Sequence, residues 1–238
     1  DFFSSPFDKE GVDFLEKLNV PKYKIASLEI TDLPLIKYTA AKGKPIIIST
    51  GVAEEADITA AIEACLSEGN SDITLLKCTS QYPASIEDAN LKTMIDIKNK
   101  FNVKVGVSDH TMGKLIPIVS VAMGAEVIEK HFILKRSLGG PDSTFSMEPN
   151  EFKEMVDEVR LAELALGKIT YKVSERDKNR RRSIFVSKDI KKGELINEDN
   201  IKIVRPGFGL HPKYYNQVID TRAIKDFKKG DPFVTNKI

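Results

Sequence analysis

Between residue 1 and about residue 170 the chain repeats one pattern: a short apolar run, a polar ending, then a longer amphipathic stretch. The apolar runs cover residues 2–5, 23–26, 45–49, 73–77, 103–108 and 127–131. Each is too short for a helix and rich in Ile, Val or Phe, as expected of strands buried on both faces. The stretches between them carry helical spacing. Over 54–67, Ile58, Ala61, Ile62 and Cys65 share one stripe; over 151–166, Phe152, Met155, Val156, Val159, Ala162 and Leu166 recur at three and four. Pro149 and Asn150 suit the start of that second helix and Gly167 its C-cap.

Repeated strand–helix units predict an α/β fold with a parallel sheet. A (β/α)8 TIM barrel requires eight units, and the runs above number six. The expected fold is therefore a TIM barrel lacking its first two βα units, in keeping with a chain that starts inside a strand-like run without an initiator Met. An open, doubly wound sheet also accommodates six strands. The polar endings favour the barrel: Ser4 and Ser5; Lys24, Ser27 and Glu29; Ser49 and Thr50; Lys77, Thr79 and Ser80; Ser108, Asp109 and His110; Lys130 and His131. In a barrel the C-terminal strand ends converge on one mouth. Hydroxyls, lysines and histidines gathered there would suit a small anionic ligand.

The character changes near residue 173. A charged run over 174–182 has no hydrophobic period and is expected to be a linker, which divides the chain into a partial barrel (1–172), a linker (173–183) and a small, mostly β domain (184–238). A unit of about 55 residues is marginal alone and is expected to pack on the barrel or on a partner subunit. With a net charge of +1 and no aromatics interleaved in the basic run, nothing points to nucleic acid. No apolar stretch nears the roughly 20 residues that span a bilayer, and no signal-peptide pattern opens the chain. Cys65 and Cys78 have neither metal-type spacing nor a disulfide framework. They are expected to be packing residues of a cytoplasmic protein.

Candidate chemistry rests on few side chains. His110 and His131 stand at the ends of neighbouring runs, where two imidazoles can share one divalent metal; either alone is more often a hydrogen-bonded structural residue. The third histidine, His211, falls in a loop of the small domain and is expected to be structural or solvent-facing. Lys24 and Lys77 at strand ends can bind a phosphate or carboxylate, assisted by the hydroxyls of Ser5, Ser27, Ser49 and Ser108. Otherwise they are lysines snorkelling out of the barrel mouth, and a Schiff-base lysine would instead make the protein an aldolase. Asp142, in the Gly139–Gly140–Pro141–Asp142–Ser143 loop, can bind sugar hydroxyls if that loop does more than turn the chain. Gly207 and Gly209 lack the strand–turn–helix setting of a dinucleotide fingerprint.

Taken jointly, Phe3-Ser4-Ser5-Pro6-Phe7, Tyr23-Lys24-Ile25-Ala26-Ser27, Ile48-Ser49-Thr50-Gly51, Ser108-Asp109-His110-Thr111, Glu129-Lys130-His131-Phe132 and Gly140-Pro141-Asp142 resemble the sialic acid synthases. Arg205-Pro206-Gly207-Phe208-Gly209 is similar to their C-terminal antifreeze-like (SAF) domain, so the likeness spans essentially the whole chain. The stretch from Ser137 to Ser146 and the Gly209-Leu210-His211-Pro212 continuation resemble the branch that makes pseudaminic acid; neuraminic and legionaminic acid synthesis are the alternatives. The resemblance implies an enzyme that condenses phosphoenolpyruvate with an N-acetylated amino sugar, using Mn or Mg held by His110 and His131. It implies that Lys24, Ser27, Ser49, Ser80 and Ser108 contact phosphoenolpyruvate, with Ser5 where many relatives carry Thr. Glu29, Tyr82 and Asp142 match sugar-side positions. Arg205 matches an arginine that reaches a neighbouring subunit's site, which implies a domain-swapped homodimer. The family's first two strands supply further essential groups, so these 238 residues alone are expected to be inactive. A non-catalytic sugar-binding scaffold is the remaining alternative, and metal affinity would separate the two.

Overall fold

A computed structural model describes residues 1–235 as two compact units, Asp1–Gly167 and a second from Lys168 onward. In the first unit five parallel strands lie side by side in chain order: β1 (Tyr23–Ile25), β2 (Ile46–Ser49), β3 (Ile73–Cys78), β4 (Lys104–Asp109) and β5 (Val127–Lys130). The helices are α1 (Lys9–Lys17) ahead of β1, then α2 (Leu33–Ala40), α3 (Glu55–Ser67), α4 (Lys92–Phe101), α5 (Leu115–Ala122) and α6 (Pro149–Leu166), one after each strand.

The run at 2–5, expected to be a strand, is not one. Its tie to β1 is a single bond from the Lys24 N–H to the Ser4 carbonyl at 3.3 Å. Phe2 remains 66% exposed, and Pro6 has no N–H with which to extend a ladder.

Side chains alternate across a strand, and here the two faces divide by chemistry. Tyr23, Ile25, Ile46, Ile48, Leu75, Val105 and Val107 face the helices, forming one core with Val12, Ile36, Ala61, Cys65 and Met94. The opposite face carries Lys24, Ile47, Ser49, Leu76, Cys78, Ser108 and Glu129, in the register Lys24↔Ile47, Ser49↔Leu76, Cys78↔Ser108 and Ser108↔Glu129. β1 and β5 are the two edges of the sheet, which if flat would lie roughly 19 Å apart. Yet Lys24 Nζ lies 3.5 Å from Glu129 Oε2. The sheet is therefore curled about its polar face, as the wall of a barrel is. Gly106 permits part of that closeness, since a Cβ there would stand 2.1 Å from the Val127 carbonyl of β5.

Helix α6 begins with a reciprocal capping box between Glu148 and Glu151 and ends at Gly167. Its Met155 and Val159 join Val121 of α5 and Met147 in a smaller core against Ile128.

In the second unit the expected linker contains a short helix, α7 (Glu175–Asn179), started by Ser174, whose hydroxyl accepts from the Asp177 N–H at 3.1 Å. Its residues are charged or polar and all exposed, so no apolar period marks it in the sequence. An antiparallel pair follows, β6 (Ser183–Val186) with β7 (Ile201–Val204), and later α8 (Tyr215–Val218). Ile184, Val186, Ile190, Ile196, Ile201, Phe227 and Phe233 make this unit's own core. Residues 223–224 and 232–234 form no strand, and Pro232 contributes a single bridge to Phe185. Among the described residues no helix is long and apolar enough to cross a membrane.

Candidate active site

The polar face builds its centre around one lysine. Lys24 is 6% exposed, and its Nζ donates to Ser49 Oγ at 2.7 Å and to the Ile25 carbonyl at 3.1 Å. Burial pulls its pKa below the ordinary lysine value, and the Glu129 carboxylate opposes that pull, with a smaller contribution from Glu29. Glu129 in turn accepts from Ser108 Oγ at 2.6 Å. Ser49, Lys24, Glu129 and Ser108 thus form one polar chain across β2, β1, β5 and β4.

Beside it, Ser80 Oγ donates to Ser27 Oγ at 3.2 Å, while Ser27 Oγ accepts from the Val52 N–H at 3.1 Å. Gly51 lets these groups meet. A Cβ there would lie 2.2 Å from Ser80 Oγ and 2.9 Å from both Cys78 Sγ and Ser27 Oγ. This is a cradle of short donors around a buried ammonium, suited to an anion.

The two histidines stand at the adjacent ends of β4 and β5, with ring centroids 5.1 Å apart. Tyr82 packs edge-on against His110 at 4.4 Å, and Phe145 lies 5.0 Å from His131. Asp142 Oδ2 is 3.6 Å from His131 Nδ1. Ser108, His110, Glu129, Lys130 and His131 line a cleft of about 260 Å³. The larger depression, about 480 Å³ between α1 and α2 near Lys9 and Tyr38, holds none of the strand-end groups.

His110 Nδ1 is 3.0 Å from the Thr79 carbonyl. A proton on Nδ1 makes that contact a hydrogen bond and leaves the Nε2 lone pair for a ligand, the arrangement metal-binding imidazoles use. Burial, and then the neighbouring His131, hold the His110 pKa below the usual imidazole range, with partial offset from Thr79. Among the described residues no group of three or more His, Cys, Asp or Glu side chains gathers as a metal site. His110 and His131, with ring centroids 5.1 Å apart, are at most two imidazole donors, so any divalent cation held there would need substrate and water to complete its sphere.

Several expected residues are thus brought together: Lys24, Ser27, Ser49, Ser80, Ser108, His110 and His131, with Tyr82 and Asp142 at the rim. Glu29, half-buried in the turn after β1, reaches them through its field on Lys24. Ser5 is half-buried and follows the residue bonded to Lys24 N–H.

Lys77 is a correction. Strand alternation places it on the helix-facing side of β3, where its Nζ donates to Thr79 Oγ1 at 2.9 Å, the Cys78 carbonyl at 3.1 Å and the Asp88 carbonyl at 3.2 Å. It fastens the loop after β3 and takes no part in the anion cradle. Arg205 is exposed just after β7 in the second unit. His211 is exposed and caps a turn, its Nδ1 accepting from the Lys213 N–H at 3.1 Å. Sequence reasoning missed Glu129, Gly51 and Phe145. Glu129 had a signal, because it precedes His131 by two and so must share its face.

Known proteins resemble this chain along its whole length. A pseudaminic acid synthase from Campylobacter jejuni is 51% identical over 96% of this chain and 68% of its own. One from Helicobacter pylori is 49% identical over 99% of this chain and 71% of its own. Among solved structures, the spore coat polysaccharide biosynthesis protein SpsE from Bacillus subtilis superposes with a TM-score of 0.68 at 35% identity, covering 98% of this chain and 72% of that one. Residues 1–171 match the NeuB family and residues 181–238 the SAF domain. By its curled parallel sheet, its lysine–serine cradle and these relationships, the chain belongs to the NeuB family.

Proposed function

We propose that this protein condenses phosphoenolpyruvate with 2,4-diacetamido-2,4,6-trideoxy-altrose to give pseudaminic acid and phosphate. The observation that carries this reading is the buried Lys24 ammonium, set between Ser49 and Glu129 beside two imidazoles. One cationic pocket for a compact anion, adjoining a site that can activate a carbonyl, is what this condensation requires. Relatives about 50% identical that are named pseudaminic acid synthases support this choice of sugar over the neuraminic or legionaminic precursor.

In this reading Lys24, Ser27, Ser49, Ser80 and Ser108 hold phosphoenolpyruvate, with Ser5 nearby. Glu129 bonds Ser108 and Lys24 together, which keeps the ammonium charged and centred. Tyr82, Asp142 and Glu29 line the sugar side. A bond forms between C3 of phosphoenolpyruvate and the sugar's aldehyde carbon, a water oxygen adds at C2, and the C2–O bond breaks. Phosphate therefore departs with the bridging oxygen. Mn or Mg bound by His110 and His131 would supply Lewis-acid polarisation of the aldehyde oxygen. Arg205 serves the sugar end of a partner subunit's site, making a homodimer the working unit.

Phosphoenolpyruvate labelled with ¹⁸O at the bridging position tests the bond cleaved. The label is expected in the released phosphate; label retained in the keto acid would overturn this mechanism.

A further inference from the structure

Asp109 and Lys130 lie beside the site residues on β4 and β5 but turn their side chains to the helix-facing side of the sheet, as a charged pair that the reaction itself does not use. Asp109 and Lys130 are register partners on β4 and β5, and their side chains are each 1% exposed, with Lys130 Nζ 2.6 Å from Asp109 Oδ2. Both also grip the residue that follows His110. The Thr111 N–H donates to Asp109 Oδ1 at 2.9 Å, and Lys130 Nζ donates to the Thr111 carbonyl. The remaining restraints on His110 come from the loop after β3: its carbonyl accepts from the Ala84 N–H at 2.9 Å, and its Nδ1 meets the Thr79 carbonyl at 3.0 Å. On β5, Lys130 sits between Glu129 and His131, so the same ammonium tethers the backbone that carries both.

A buried ion pair is a poor source of stability, because desolvation offsets the attraction, and an apolar pair of similar volume commonly replaces it without loss. Stability alone therefore does not account for placing one here. What an apolar pair cannot do is hold both polar groups of the Thr111 backbone.

We propose that Asp109 and Lys130 are positioning residues: together they clamp the Thr111 backbone from the helix-facing side of the sheet and so fix the His110 imidazole, its Nδ1 toward Thr79 and its ring beside His131. The consequence for a divalent cation rests on the metal reading given above; the consequence for the ring does not.

The test uses D109L/K130M in the full-length protein at fixed pH, where both buried charges are removed together. Three measurements are made: thermal unfolding, the His110 tautomer by ¹⁵N–¹³C imidazole NMR without metal, and Mn affinity by calorimetry. The expected result is near-normal unfolding, averaging of the His110 ring nitrogen signals that are distinct in the wild type, and Mn binding weakened about 10- to 100-fold, the range usual for lost outer-shell support. A purely structural role predicts the reverse: a changed unfolding midpoint with the tautomer intact. An unaltered tautomer in the folded double variant overturns the clamp whatever Mn does. H110A separates the two ideas: if it leaves Mn affinity untouched, the metal reading fails while the tautomer result still judges the clamp. Should D109L/K130M not fold, D109N/K130M removes both charges, leaves no lone buried ion, and is expected to show the same averaging because the Thr111 carbonyl loses its Lys130 donor.

Discussion

Lys24 has its ammonium where burial favours the neutral amine, and Glu129, Ser49 and a backbone carbonyl, with a smaller contribution from Glu29, hold the charge in place. A group kept charged against its solvation is kept for binding rather than for stability. Lys24→Met is therefore expected to raise the unfolding midpoint slightly while lowering kcat/KM for phosphoenolpyruvate by roughly a thousandfold or more. Lys77→Met, on the opposite face, should leave that kcat/KM within about twofold; steady-state kinetics of the two variants checks both. His110 gives a pH dependence. Its folded pKa lies below the ordinary 6.5 because of burial and His131, so below that pH the unfolded chain binds a proton that the folded chain resists. Stability is present above pH 6.5 and falls as the pH drops toward the folded value. Denaturant unfolding at several pH values should show that fall, and His110→Asn should flatten it; equal slopes would contradict the assignment. Most of these residues were legible as polar endings of apolar runs. What hid the error at Lys77 and the omission of Glu129 was parity: side chains one apart face opposite ways, and a cluster read without its register merges both faces.

Among the elements, the five strands of the sheet were legible because each is a short, largely apolar run bounded by turns, and α3 and α6 because their stripes hold period. The run at 2–5 failed because composition cannot show that a partner strand is bonded along its length, and α7 was missed because an all-polar turn has no stripe. The loop between β5 and α6 shows how an element end serves the site. Arg136 Nε donates to the Ser146 carbonyl at 3.1 Å, its backbone N–H donates to Glu148 Oε1 at 2.8 Å, and its guanidinium pairs with Glu151 of the capping box. Ser146 Oγ in turn donates to the Asp142 carbonyl at 2.7 Å. Arg136→Met should thus free Asp142, raising the sugar KM about tenfold with little change for phosphoenolpyruvate. Equal effects on both substrates would place Arg136 elsewhere in the mechanism.

At the scale of the molecule, the contact of Lys24 with Glu129 turns a list of strand endings into a site, since only a curled sheet brings its own edges together. Residues 163–182, which join the two units, are exposed throughout and carry many Lys and Arg side chains. Trypsin is expected to cut there first, leaving each unit with its own core. Cuts within β1–β5 appearing first would contradict that division. The homodimer proposal predicts complementation: R205A and H110A, each impaired alone, should regain up to about a quarter of wild-type turnover when mixed and reassociated, because one composite site in the mixed dimer is intact. No recovery on mixing would assign Arg205 to its own subunit. The central claim is tested most directly by phosphate release from phosphoenolpyruvate with Mn, comparing the diacetamido-trideoxy-altrose, the corresponding legionaminate precursor and N-acetylmannosamine in the full-length protein. Release confined to the altrose sugar is the predicted result; release with another sugar alone, or with none, would contradict it.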